Sequence, residues 1–163
     1  MPKTKINKLN RKFKKDVSLT RKNKLGKVSK NNLLLNNFEK EIVVLFLEVL
    51  IMVKLFHWKT YSYATHKATD KLYSSLNEKM DQFIEILLGK VNNRISLIDN
   101  KTINLFDLTS KEQLVDKITS FKSYLVDLNN NKAFNLMSNY DLLTVRDEIL
   151  GELNQFLYLL TFN

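Results

Sequence analysis

A chain of 163 residues is long enough for one domain with a substantial core. It has no cysteine, which excludes disulfides and thiolate metal sites, leaves His and carboxylates as the only metal ligands, and fits a reducing compartment. One proline and three glycines are too few breakers for a many-stranded β protein and point to long helices.

The net charge of +9 is unevenly spread. Residues 1–30 hold twelve Lys/Arg against Asp16 alone; the remainder holds fourteen against sixteen acids and is close to neutral. The chain therefore divides into a basic arm, residues 1–30, and a body, residues 31–163. The arm has few apolar residues and no helical period, so it is expected to be disordered by itself. Its cations are Lys3, Lys5, Lys8, Arg11, Lys12, Lys14, Lys15, Arg21, Lys22, Lys24, Lys27 and Lys30, with Phe13 the single aromatic. That composition suits contacts to phosphates without base reading. Its rivals are an arm that orders against a protein assembly, one that meets an anionic membrane, and one that only adds solubility. The arm lacks the apolar segment and cleavage site of a secretory signal, and a transit peptide stays an open reading.

The body reads as four helices. The first is expected over 32–59. Its run from Ile42 to Phe56 is apolar except for Glu48 and Lys54, two charges that argue against a membrane span and for a helix buried in a bundle and against neighbouring subunits. The second carries apolar residues at Leu72, Tyr73, Leu76, Met80, Phe83, Ile84, Leu87 and Leu88, with Thr65 as N-cap and Gly89 as its stop. Residues 90–108 lack a period and read as a crossover with room for one short helix. Thr109 and Glu112 form a capping-box pattern that opens a third helix over 111–130. A connection leads from it to a fourth over 140–162. No internal repeat is visible. One long connection between helices 2 and 3 is the connectivity of ferritin-like four-helix bundles.

Helix 2 carries the candidate chemistry. Relative to His66, the residues Asp70, Asp81 and Glu85 lie at about 40°, 60° and 100° around a helix, in one stripe of two i, i+4 pairs. The pair midpoints are roughly 22 Å apart along the axis, too far for one ion or one di-metal cluster. A second copy packed antiparallel about a two-fold near residues 71–76 brings His66 and Asp70 of one subunit opposite the acids of the other. If these residues bind metal together, the site lies between subunits. His57, at the end of helix 1, fits as a further ligand, and the mixed N/O set suits iron, manganese or zinc. The same spacing equally describes a solvated polar face, and Trp58 by itself reads as a packing residue.

The stretch VKLFHWKTYSYATHKATDKLYSSLNEKMDQFIEILLGK resembles the core signature of the Dps family, the DNA-binding proteins from starved cells. The family pattern is a His-Trp pair, then a His, an Asp four on, an Asp eleven further and a Glu four beyond; His57-Trp58, His66, Asp70, Asp81 and Glu85 fill it. Similarity is clear over 32–90 and weaker over 141–162. The link from His57 to His66 is three residues shorter than usual in the family and lacks its customary glycine, which questions the place of His57. The resemblance implies a ferritin-like fold and two-fold dimers assembling to a dodecamer. It also implies an inter-subunit di-iron ferroxidase centre at His57, His66, Asp70, Asp81 and Glu85, with zinc or manganese as other metals. Trp58 would take up stray oxidising equivalents. A Lys-rich arm would bind double-stranded DNA non-specifically, with no membrane partner.

The chain is also similar to short Dps-like proteins of large DNA viruses, and its nineteen asparagines fit an AT-rich genome. The expected function is iron oxidation and storage with DNA protection under oxidative stress. The expected location is the cytoplasm or nucleoid, or the virion or host cytoplasm if the protein is viral. The rival is a structural nucleic-acid-packaging or virion protein with an idle metal site.

Overall fold

The computed structural model describes the backbone of residues 3–97 and 102–162 and the side chains of residues 30–97 and 102–162. Among the described residues the chain is all-helical: α1 (Lys3–Lys59), α2 (Tyr63–Val91), α3 (Lys111–Asp127) and α4 (Tyr140–Leu159), with two short 3-10 helices, Leu128–Asn130 and Phe134–Leu136. No helix among these residues is long and apolar enough to cross a membrane.

Several boundaries differ from the sequence expectation. α1 starts at Lys3 instead of 32, so the backbone of the basic arm is continuous with the first helix. Between Pro2 and Lys59 the only strong breaker is Gly26, and Lys, Arg and Leu are good helix formers. The arm side chains from Lys3 to Lys27, the expected phosphate contacts, lie outside the described residues; Lys30 is exposed. α2 is capped by Ser62, not Thr65, and the Thr65 N–H is the donor that the Ser62 hydroxyl accepts. Its end is Asn92, with φ 50°, three residues past Gly89; an asparagine tolerates the left-handed region and lets helix continue through the glycine. α3 is capped by Ser110, whose Oγ accepts the Gln113 N–H at 3.2 Å, while Gln113 Oε1 accepts from Thr109. The capping pattern is thus shifted one residue from Thr109/Glu112. The third helix ends at Asp127 and its expected tail is 3-10. The described part of the crossover holds no helix; the short helices fall between α3 and α4 instead.

Contacts between elements set the topology. Lys71, Lys79 and Lys90 on α2 meet Gln155, Glu148 and Asp141 on α4, so these helices run antiparallel. On α1, Phe46 and His57 meet Phe83 and Thr69 of α2, again antiparallel. Phe46 meets Phe121 on α3, Phe38 meets Phe134 just beyond it and Lys59 meets Asp107 just before it, so α3 runs antiparallel to α1 as well. Consequently α2 and α3 are parallel, and the connection between them spans the length of the bundle. Asn93 reaches Glu39, Asn104 reaches Glu48, and Asp107 reaches Lys59.

The core follows from helical spacing. Ile42, Phe46, Val49, Val53 and Phe56 are buried on α1, and Leu72, Leu76, Met80, Phe83 and Leu87 on α2. The Phe46 ring lies 5.5 Å from Phe83 and 6.0 Å from Phe121, both edge-on, and ties three helices together. Each such burial contributes roughly 1.5–3 kcal/mol.

Candidate metal centre at the turn between the first two helices

Three residues join α1 to α2. Thr60 N–H donates to the Phe56 carbonyl at 3.0 Å, Ser62 N–H to Thr60 Oγ1 at 3.2 Å, and His66 N–H to the Ser62 carbonyl at 2.8 Å. Among the described residues Asn92 alone among non-glycines has positive φ, so this turn closes in ordinary backbone conformations. That is why the shortened link needs no glycine.

The turn locks the two histidines together. His57 Nδ1 lies 3.1 Å from the His66 carbonyl, and His66 Nδ1 lies 3.1 Å from the His57 carbonyl. A carbonyl can only accept, so each ring carries a hydrogen on Nδ1, and the neutral form of each keeps its lone pair on Nε2. This arrangement commonly orients metal-ligating histidines. The rings stack with centroids 3.9 Å apart and planes at 23°. Thr69, fully buried, places Oγ1 3.3 Å from His57 Nδ1 and donates to the Thr65 and His66 carbonyls at 2.8 and 3.0 Å. His57 itself is buried.

Asp70 Oδ1 stands 3.8 Å from His57 Nε2. With His57 neutral and its hydrogen on Nδ1, the two atoms are both electron-pair donors facing one space. Lys54 Nζ lies 3.9 Å from the same carboxylate oxygen and 4.6 Å from the centre of the Tyr73 ring. His57 and Asp70 therefore face each other, and His66, half-buried, is stacked on His57, while Asp70 is exposed. Asp81 and Glu85 do not join them; they are exposed farther along α2, by roughly 22 Å at helical rise. Among the described residues no three His, Asp or Glu are arranged to hold a metal ion within one chain.

Two adjoining clefts lie between α1 and α2 near this stripe. One, about 220 Å³, is lined by Val43, Leu47, Leu50 and Asp81 among others; a second, about 270 Å³, shares Leu47, Leu50 and Asn77 and adds Lys54 and Trp58. Leu47 is 40% exposed and Trp58 is 68% exposed, so the outer side of α1 is not covered by the bundle.

Sequence reasoning passed over Lys54 and Thr69. Their signal is helical spacing: Lys54 is three before His57, and Thr69 three after His66.

Residues 57–160 match the Family of unknown function (DUF5856). The chain belongs to this family. No curated protein and no solved structure matches it. The DUF5856 segment begins at His57 and contains all five candidate ligands with α2, α3 and α4, whereas the basic arm and most of α1 lie outside it.

Proposed function

We propose that this DUF5856 protein is a ferritin-like, Dps-like iron-oxidising protein whose sites form between two copies. The observation that carries the reading is the convergence of His57 Nε2 on Asp70 Oδ1, with both histidine tautomers set by backbone carbonyls. Two imidazoles and carboxylates are a donor set suited to Fe(II), the substrate, which gives up an electron to dioxygen or peroxide. One chain supplies His57, His66 and Asp70, and a two-fold partner supplies Asp81 and Glu85. The two clefts support that pairing because one carries Asp81 and the other Lys54, the neighbour of Asp70. A copy docked antiparallel there would cover Leu47 and Trp58 and bring the two half-sets face to face. Parallel α2 and α3 with a crossover spanning the bundle support the ferritin-like reading. The basic arm would hold duplex DNA by phosphate contacts, and twelve arms on one dodecameric particle would make weak contacts strong together.

One observation favours the rival, a structural packaging protein with an idle site. Lys54 stands within ion-pair reach of Asp70 and partly neutralises it without any metal. Fe(II) oxidation by the purified full chain separates the two. Oxidation well above buffer, lost in Asp81→Ala, is expected; a rate no faster than buffer under saturating Fe(II) favours the rival. Deleting residues 1–30 should abolish DNA retardation and leave assembly intact. Equal retardation by the truncated chain defeats the arm's part.

A further inference from the structure

At the opposite end of the bundle from the histidines, Asn32, Asn36 and Glu39 lie at i, i+4 and i+7 on α1. They form one stripe facing Val91, Asn92 and Asn93, where α2 ends. Between them is a cavity of about 380 Å³. Glu39 lines it and is 3% exposed. Asn93 Nδ2 donates to Glu39 Oε2 at 3.2 Å, and among the described residues no other hydrogen-bond donor reaches that carboxylate. An ionised carboxylate has about four lone-pair sites. None of the described lining residues is basic, and Lys90, one residue before Val91, is bound to Asp141 at 2.7 Å. Among the described lining residues Glu39 is the one ionisable group, and carboxamides with Leu35 and Val91 form the rest of the wall, while Arg94, next to Asn93, donates to the Asn93 carbonyl.

We infer that this cavity is a site for a hard divalent cation of the calcium class. The Glu39 carboxylate supplies the charge, and carboxamide oxygens of Asn32, Asn36, Asn92 and Asn93, with water, supply the remaining ligands. Calcium accepts six to eight oxygens in flexible geometry, whereas magnesium demands a tight octahedron and keeps its own waters. An all-oxygen set without imidazole disfavours the softer transition metals. The volume of about 380 Å³ holds roughly a dozen waters at ~30 Å³ each, ample for a partly hydrated ion. With a single carboxylate, affinity falls at the weak end, with Kd about 10⁻⁴–10⁻³ M. Burial pushes the Glu39 carboxyl above its ordinary range, and the Asn93 hydrogen bond offsets only part of that. A bound cation acts in the opposite sense. The site shares no residue with the proposed iron centre, so the two readings stand or fall separately.

The test uses the full chain freed of metal with a chelator, then given about 10 mM Ca²⁺ at fixed ionic strength. Calcium should raise Tm by about 4–8 °C and give heat in titration calorimetry. Glu39→Gln is nearly isosteric and removes the buried charge, so it should fold at least as well without calcium and lose both responses. Asn36→Leu keeps the charge and removes one ligand, and should weaken binding about 3-fold or more. No calcium response in the wild type, or an unchanged one in Glu39→Gln, overturns the inference. An equal response to Mg²⁺ overturns the assignment to a calcium-class ion.

Discussion

The two ends of the ligand stripe on α2 are built in opposite ways. At His66 and Asp70 the chain itself does the organising: reciprocal carbonyl bonds fix both imidazoles, Thr69 backs them, and Lys54 stands at the carboxylate. At Asp81 and Glu85 two exposed carboxylates project from a regular helix, and Glu85 has no bond to hold it among the described contacts. A half-site with its orientation fixed before any ligand arrives needs little further ordering, whereas the other half must be ordered by what docks on it. On the proposed reading, completeness of the centre would be a property of the pair of copies, with the clefts over Leu47 and Leu50 as the surface that brings them together.

The largest expected effect tests that division. Asp81→Ala should slow Fe(II) oxidation by more than about 100-fold, beyond what losing an outer-shell contact does. Asp70→Ala and Glu85→Ala should each be inactive alone. Mixed as dimers at equal amounts they should recover about a quarter of the wild-type sites, because half the dimers are mixed and each of those rebuilds one site of two. No recovery from proven mixed dimers would break the comparison by putting the site within one chain or nowhere.

Next in size is the organised half. His57→Ala should lower the oxidation rate and Zn²⁺ affinity about 10-fold, less than loss of either acid, because His66 still supplies one nitrogen. Unchanged Zn²⁺ affinity by calorimetry would make His57 a packing residue beneath Trp58. Lys54→Met should act the other way. Removing a positive charge 3.9 Å from Asp70 Oδ1 relieves repulsion of about 1 kcal/mol for an exposed pair, which corresponds to about 5-fold tighter Zn²⁺. Weaker binding in this variant would mean that Lys54 orients Asp70 rather than competes at it.

Much of the architecture was legible in the sequence, because apolar spacing on α2, α3 and α4 and the absence of breakers leave few alternatives. The caps were less so. Ser62 and Thr65, Ser110 and Thr109, and Asn92 and Gly89 are all competent stop or start residues, and which one acts depends on where the neighbouring helix lets the chain turn. The i, i+4 pairs were visible as a stripe, since helical geometry alone puts them there. The stacking of His57 on His66 was not, because it depends on a three-residue turn whose path no periodicity describes. Buried Glu39 and Glu48 were hidden for a related reason: the crossover residues Asn93 and Asn104, distant in sequence, take them out of water.

The smallest effect is the most discriminating for the organised half. Ser62 sits between the two histidines, and its Oγ accepts the N–H of Thr65, a buried residue one turn below Thr69. Ser62→Ala removes that acceptor and should lower stability by about 1 kcal/mol, a fall in Tm of about 3 °C for a chain of this size. The backbone bonds of the turn remain, including His66 N–H to the Ser62 carbonyl at 2.8 Å, and so do both Nδ1-to-carbonyl contacts. If those contacts hold the imidazoles, the oxidation rate below the melting range should stay within about 2-fold of wild type, since an exposed cap acts on the helix end and not on the rings. A rate that falls in step with stability would show instead that the cap sets the histidine register. The organised half would then be only as ordered as its turn, and much closer in kind to the exposed acids at the other end of α2.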